Sequence, residues 1–296
     1  MNNATAAVAP VLVGVEQGSP QQDIVRYAAQ QARLHHSPLH ILHVSQTTGS
    51  GEGNADRESE AASETRGASV VESFKELARR EYPDVAVSAE TVSGRPAEVL
   101  LERSSTTSSL VLGHRGSGGF PRLPLGSVSW QVATHAECPV LVIRPHESLP
   151  APERRVAVGV DIADISEEAL DQAYTEAAAR GARLELLHAN FHFSELPTGP
   201  GMIAPDFKAL DESARCILET AAAERRERFP EVPTDIRVER VRPSTLLTEA
   251  SQRVALLVVG SHGRTGLRRL MLGSVSAETL HTASCPVLVV PPATRA

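Results

Sequence analysis

Short apolar runs alternate with stretches of helical period along the chain, and they do so in the same order twice. In the first half, Val8 to Val15 predicts a strand and Asp23 to His36 a helix, with Ile24, Ala28, Ala32 and His35 near helical spacing. Leu39 to Val44 predicts a second strand. From Gln46 to Gly67 apolar residues nearly vanish among Gly, Ser, Thr and Glu. Such a composition buries too little surface to offset its ordering entropy, which predicts a mobile segment, at least in its first half. The pattern then predicts helix Ala68 to Arg80, strand Val85 to Thr91, short helix Pro96 to Ser104, strand Leu110 to Leu112, helix Gly126 to His135 and strand Val140 to Ile143. The second half predicts strand Val156 to Val160, helix Ser166 to Arg180, strand Arg183 to Ala189, helix Phe207 to Arg228 and strand Thr234 to Val241. Helix Pro243 to Arg253, strand Ala255 to Val259, helix Val275 to Ala283 and strand Val287 to Val290 complete it.

Strands alternating with helices at this spacing imply parallel sheets covered on both faces. Each half has five strands, and right-handed crossovers make each a doubly wound, Rossmann-like α/β domain whose ligand crevice lies at the C-terminal strand ends, where strand order reverses. If strands one and four are neighbours at that reversal, Asp161 and the loop after Gly260 face one crevice. The halves are copies. Leu110 to Pro145 and Leu257 to Pro292 share 19 identities in 36 ungapped positions, including Leu-Gly-Ser-Val-Ser and Cys-Pro-Val-Leu-Val. The openings Val11-Leu-Val-Gly-Val-Glu16 and Val156-Ala-Val-Gly-Val-Asp161 match as well. The expected domains are residues 1–147 and 153–296, joined by the proline-rich stretch from Pro145 to Pro152.

The chemistry concentrates in Gly260-Ser-His-Gly263-Arg-Thr-Gly-Leu-Arg-Arg-Leu-Met-Leu-Gly273-Ser274, between a strand and a helix. Gly260 and Gly263 let the backbone turn and approach a ligand closely. Gly273 and Ser274 stand where a helix begins, and unpaired amides with the positive dipole end favour an anion there. Gly113, Gly116, Gly126 and Ser127 repeat the spacing. It is neither the P-loop nor the Gly-x-Gly-x-x-Gly dinucleotide turn. Taken singly, each feature has a plainer reading: the glycines as tight turns, Ser127 and Ser274 as helix caps, Asp161 as a turn acid, and His43 and His188 as packed or hydrogen-bonded strand-end residues.

Charge and composition narrow the function. The net charge of −7 argues against a non-specific nucleic-acid or anionic-membrane surface. No apolar run is long enough to span a bilayer, and Met1-Asn-Asn-Ala-Thr does not read as a signal peptide, so a cytoplasmic location is expected. Cys138, Cys216 and Cys285 form neither a metal spacing nor an even disulfide set. Cys138 and Cys285, each before a proline and an apolar strand, read as buried structural thiols.

The Gly-x2-Gly-x9-Gly-Ser loop, the Val-Gly-Val-Asp opening, the Leu-His-Val or Leu-His-Ala end of strand two and the closing Cys-Pro-Val-Leu-Val resemble a tandem-type universal stress protein. The resemblance covers nearly the whole chain, twice. It implies a sheet in the order 3-2-1-4-5, of the adenine nucleotide alpha hydrolase-like type. In the ATP-binding branch it implies ATP or another adenine nucleotide held with Mg2+ through its phosphates. By the same resemblance, Asp161 meets the adenosine part, Ala189 stands near the adenine, and Gly260, Gly263, Gly273, Ser274 and Val275 hold ribose and phosphates. The first-half equivalents are Glu16, Val44, Gly113, Gly116, Gly126, Ser127 and Val128. It further implies that the final strands of the two halves pair as an internal pseudo-dimer and that two chains assemble into a homodimer; a protein partner is expected but not named.

Glu16 departs from the usual Asp by one methylene, and Pro121 and Pro124 restrict the first loop, whereas the second carries His262, Arg264, Arg268 and Arg269. The second site is therefore expected to be the stronger. Three functions compete: a nucleotide-binding stress-response regulator, a slow ATPase or phosphotransferase, and an interaction scaffold that has lost its ligand. Phosphoryl transfer usually employs a cradling lysine. Lys75 and Lys208 are the chain's two lysines and both lie in presumed second helices, which favours binding over turnover.

Overall fold

The computed structural model describes residues 8–16, 21–45, 54–115, 125–144, 155–190, 206–261 and 272–293, with side chains of 54–64 excepted. The chain divides into two compact units, Met1–Glu147 and Ser148–Ala296. In the first, β1 (Val11–Val15), β2 (Leu39–Ser45), β3 (Val87–Ser93), β4 (Ser109–Gly113) and β5 (Val140–Ile143) form a parallel sheet in the order β3-β2-β1-β4-β5. In the second, β6 (Arg155–Gly159), β7 (Arg183–Ala189), β8 (Thr234–Glu239), β9 (Leu256–Gly260) and β10 (Val287–Val290) repeat it as β8-β7-β6-β9-β10. This is the doubly wound α/β fold expected, strand order included.

The helices of the first unit are α1 (Gln21–Leu34), α2 (Asn54–Glu81), α3 (Pro96–Ser104) and α4 (Ser127–His135). Those of the second are α5 (Glu167–Arg180), α6 (Phe207–Arg225), α7 (Pro243–Ser251) and α8 (Ser274–Thr282). Right-handed crossovers to either side of the central pair carry α1 with α2 over one sheet face and α3 with α4 over the other. The central strands are therefore buried on both faces, and Val13, Ile41, Leu110, Val156, Leu184 and Leu257 are wholly enclosed. Small residues make close approach possible: Ala28, Ala29 and Ala32 form the inner face of α1, and Ala169, Ala173 and Ala177 that of α5. Among the described residues no helix is long and apolar enough to cross a membrane.

Strands β1 and β3 begin later than expected. Strand β1 starts at Val11 rather than Val8, since Pro10 has no N–H to add to the ladder. Strand β3 starts at Val87 because the Val85 amide closes a turn onto the Tyr82 carbonyl, 3.1 Å away. The larger difference is α2. It begins at Asn54, inside the segment whose composition reads as mobile. Residues 54–66 contain no Gly or Pro and are rich in Ala, Glu and Arg. Once the apolar turns around Val71, Phe74, Leu77 and Ala78 have docked, adding such residues to an existing helix is nearly free of the nucleation penalty. Residues 46–53 lie outside the described residues.

Cys138 and Cys285 are buried. Burial pushes both thiols up, Cys285 to about 12, so they stay protonated and act as packing groups. Cys216 is exposed on α6.

Gly67 sits inside α2, where alanine normally stabilises by about 0.5–1 kcal/mol. A Cβ at that position, however, would stand 2.7 Å from Thr91 Cγ2 and 2.8 Å from His43 Cδ2. Gly67→Ala should therefore lower stability, by about 1–3 kcal/mol. Urea unfolding followed by the fluorescence of Trp130, the single tryptophan, measures it. A more stable variant would mean that α2 does not press on the sheet at this point.

Candidate functional site

The site begins where pairing stops. Strands β1 and β2 pair out to Val15↔His43, and β4 and β5 out to Gly113↔Ile143, whereas β1 and β4 pair only as far as Val13↔Val111. The second unit does the same: β9 and β10 pair to Gly260↔Val290, but β6 and β9 only to Val158↔Val258. Each sheet thus opens at the C-terminal ends of its central pair. Glu16 follows β1 at one crevice and Asp161 follows β6 shortly after the other, and both are half-buried. The strand-end glycines Gly113 and Gly260 stand on the opposite walls.

The backbone groups released by this divergence are met in the same way in both units. The His43 Nδ1–H donates to the Val15 carbonyl at 2.9 Å, and the His188 Nδ1–H donates to the Val160 carbonyl at 2.9 Å. These histidines are structural hydrogen-bonding groups, as one sequence reading held. Val44 and Ala189, one residue further on, are half-buried in register with Val92 and Glu239. Asp161 also makes a turn: its Oδ1 accepts from the Ala163 N–H at 3.1 Å, and its carbonyl accepts from the Asp164 N–H at 3.1 Å.

The loop that leaves each glycine strand is returned to it by three hydrogen bonds. The His114 N–H donates to the Ile143 carbonyl, the Gly126 N–H donates to the His114 carbonyl, each at 2.7 Å, and the Ser129 hydroxyl donates to the Gly113 carbonyl at 2.6 Å. Ser261, Gly273 and Ser276 repeat the set at 2.8, 2.8 and 2.6 Å. Ser129 and Ser276, which were not among the expected site residues, were legible as the second Ser of the shared Gly-Ser-Val-Ser. The result brings Gly113 with Gly126 and Ser127, and Gly260 with Gly273 and Ser274.

The helix cap differs from one plain reading. Gly126 and Gly273, not the serines, are the N-caps of α4 and α8, and neither helix has a side-chain cap hydrogen bond. Their φ/ψ values of −72°/151° and −58°/146° are open to any residue. Glycine is therefore not required there by backbone conformation. Ser127 and Ser274 are the first helical residues and are exposed, and Val128 and Val275 follow them half-buried. Gly113 has a packing role too, since a Cβ there would meet Ile24 Cδ1 at 2.5 Å. Gly116, Gly263, Pro121, Pro124, His262, Arg264, Arg268 and Arg269 lie outside the described residues.

Two polar groupings at the crevice edges were not expected from the sequence. In the second unit the Asn190 amide donates to Asp211 Oδ1 at 2.8 Å, while Arg240 Nη2 donates to Asp211 Oδ2 at 2.6 Å and Arg240 lies over the Phe207 ring at 5.4 Å. Arg240 holds the Asp211 carboxyl below its usual range. This ties the end of β7, beside Ala189, to the start of α6. In the first unit His114, Arg115 and Arg144 gather beyond β4 and β5, all half-buried. Burial first, then Arg144 and Arg115, lower the His114 pKa to about 4.

The profile of the Universal stress protein family matches residues 8–144 and 153–291, once in each unit. A universal stress protein of Mycolicibacterium smegmatis is 32% identical over 300 residues, spanning 95% of this chain and 97% of that protein. A universal stress protein of Mycobacterium tuberculosis is 34% identical over 295 residues, spanning 94% and 96%. Among solved structures, a universal stress protein from Archaeoglobus fulgidus superposes with a TM-score of 0.69 at 18% identity, covering 97% of each chain.

The His114 environment predicts a pH dependence. In the unfolded chain this imidazole takes up its proton near pH 6.5, and in the folded unit only near pH 4. The unfolded state therefore binds more protons in that window, so stability falls as pH drops from about 6.5 to about 4 and is independent of this group above it. His114→Gln should flatten the decline, read as the shift in urea midpoint by Trp130 fluorescence at several pH values. Equal slopes in the two proteins would show that His114 is free to ionise.

Proposed function

The chain belongs to the universal stress protein family, in its two-domain form, and from that premise we propose that it is a cytoplasmic stress-response regulator with one adenine-nucleotide crevice in each half. The observation that carries the reading is the repeated crevice itself. In both units the central strands part before they end, an acid stands on one side, and a glycine-capped helix N-terminus with no side-chain cap is tied back to the other. Helix amides left open in this way suit phosphate oxygens. In this reading Asp161 or Glu16 meets the adenosine part, and Ala189 or Val44 lies near the adenine. Gly260, Gly263, Gly273, Ser274 and Val275, or their first-half counterparts, face ribose and phosphates. Mg2+ accompanies the nucleotide on its phosphate oxygens. The second half is the stronger adenosine site, because the shorter Asp161 replaces Glu16 and because the Asn190–Asp211–Arg240 network holds the base end of that crevice.

Occupancy, rather than turnover, is the output in this reading, through a change in partner choice. Asp161 serves a turn through Oδ1, so Asp161→Asn, which keeps an acceptor oxygen while removing the charge, isolates ligand recognition from the fold. A charge-assisted hydrogen bond contributes roughly 1.5–3 kcal/mol, so ATP should bind the second half about ten- to a hundredfold more weakly. Affinity for inorganic triphosphate should change little. Titration calorimetry of the full chain with both ligands measures this, and unchanged ATP affinity would remove Asp161 from the site. Glu16→Asp should strengthen ATP binding in the first half.

Bulk at the helix start provides a second test. Gly273 adopts backbone angles open to valine, so Gly273→Val should fold, yet its side chain occupies the space assigned to ribose and phosphate. One of two ATP equivalents should disappear in equilibrium dialysis with Mg2+. Retention of both equivalents would place the phosphates elsewhere.

A further inference from the structure

His114 and Arg144 are the first residues beyond β4 and β5, two strands held in register to their last pair, Gly113↔Ile143. They leave the sheet as neighbours. Their proximity is fixed by backbone: the His114 N–H donates to the Ile143 carbonyl at 2.7 Å, and the next hydrogen bond, from Gly126, anchors the start of α4 to the His114 carbonyl. Arg115 folds back over the strand end, its carbonyl oxygen 3.3 Å from where a Gly113 Cβ would stand. Its Nε is buried and has no hydrogen-bond partner among the described residues.

Two guanidiniums held half out of water beside each other repel, and a buried N–H donor without an acceptor adds to the penalty. Burial and Arg115 together lower the Arg144 pKa from its ordinary value. His114, kept neutral by the same surroundings, offers hydrogen bonding without adding a third charge. A multiply charged oxyanion answers both: it supplies an acceptor for the Arg115 Nε–H and offsets the repulsion between the two guanidiniums.

We propose that Arg115 and Arg144 form a cationic subsite at the strand ends of the first half, which takes a phosphate-class anion of two or more charges. The subsite stands without any nucleotide; that the anion is the charged tail of the first-half ligand rests on the reading under Proposed function. The arrangement belongs to this half, because Ser261 and Pro291 occupy the places of His114 and Arg144 in the second copy and His262 that of Arg115. The first half would then recognise its ligand chiefly by charge, which offsets the displaced carboxylate of Glu16.

Inorganic triphosphate is the probe, titrated at low salt into the full chain and into the Arg115→Gln/Arg144→Gln double variant. One binding event should weaken by about tenfold or more in the double variant, since charge-assisted contacts are lost. Unchanged triphosphate affinity, or no binding to the unaltered chain, overturns the proposal. Should the double variant fail to fold, the unaltered chain decides: triphosphate should protect Arg115 and Arg144 from an arginine-selective dicarbonyl reagent, read by peptide mass spectrometry, and unprotected labelling of both overturns the subsite. A parallel ATP titration separates the two readings. Arginine-dependent triphosphate binding without ATP binding sinks the nucleotide function and leaves the subsite standing; ATP binding unaffected by either arginine does the reverse.

Discussion

A parallel sheet whose crossovers run one way from a central strand and the other way from its neighbour must open between those two strands, because no connection passes over their ends. Both units obey this constraint, and the rest of the site follows from it. Pairing ends at Val13↔Val111 and at Val158↔Val258 while each outer ladder continues to the strand ends. The polar groups thereby released have to be satisfied from elsewhere. His43 and His188 take the carbonyls of Val15 and Val160, and the Ser129 and Ser276 hydroxyls take those of Gly113 and Gly260. Among the described residues no side chain caps the first turn of α4 or α8, where a glycine is the N-cap. On the proposed reading, these uncapped helix starts are where phosphate oxygens would be met.

Most of this architecture was legible because it rests on local rules. Apolar runs and helical periodicity located every strand and helix, and right-handed crossovers left little freedom in strand order. The errors mark where non-local facts decide. The polar start of α2 looks disordered by composition, yet it extends a helix already docked through Phe74 and Leu77. The end of β5 carries no motif, and Arg144 becomes interesting only when strand register sets it beside His114. Asn190, Asp211 and Arg240 likewise are spread over fifty residues and meet because β7, α6 and β8 converge. Sequence spacing reveals chemistry carried by one loop; chemistry assembled from strand ends needs the register.

Duplication makes the two crevices comparable position by position. The hydrogen bonds that close the loop and tether the strand ends are the same to within about 0.1 Å in both units. Other positions at the strand ends differ: Glu16 against Asp161, Ser45 against Asn190, Arg144 against Pro291. A frame that must satisfy buried backbone groups tolerates little change, since each lost partner strands a polar atom in the interior. Glu16, Asp161 and Arg144 are half-buried and change at a smaller penalty, whereas Ser45 and Asn190 are buried and each keeps hydrogen-bond partners of its own.

The direction of these changes differs between the halves. In the second, a short acid and a hydrogen-bonded Asn190–Asp211–Arg240 wall add shape and polarity at the end of the crevice away from the helix N-terminus. In the first, the Ser45 hydroxyl bonds across to β3, at the Val92 carbonyl and the Ser93 hydroxyl, and the added chemistry is positive charge beside the helix N-terminus. Electrostatic attraction acts over a Debye length and is indifferent to the shape of the uncharged part of a ligand, whereas hydrogen bonds to a base or ribose act only in contact. On the proposed reading, two copies of one strand frame would divide a single recognition problem, one half weighing the charge of a ligand and the other its uncharged portion.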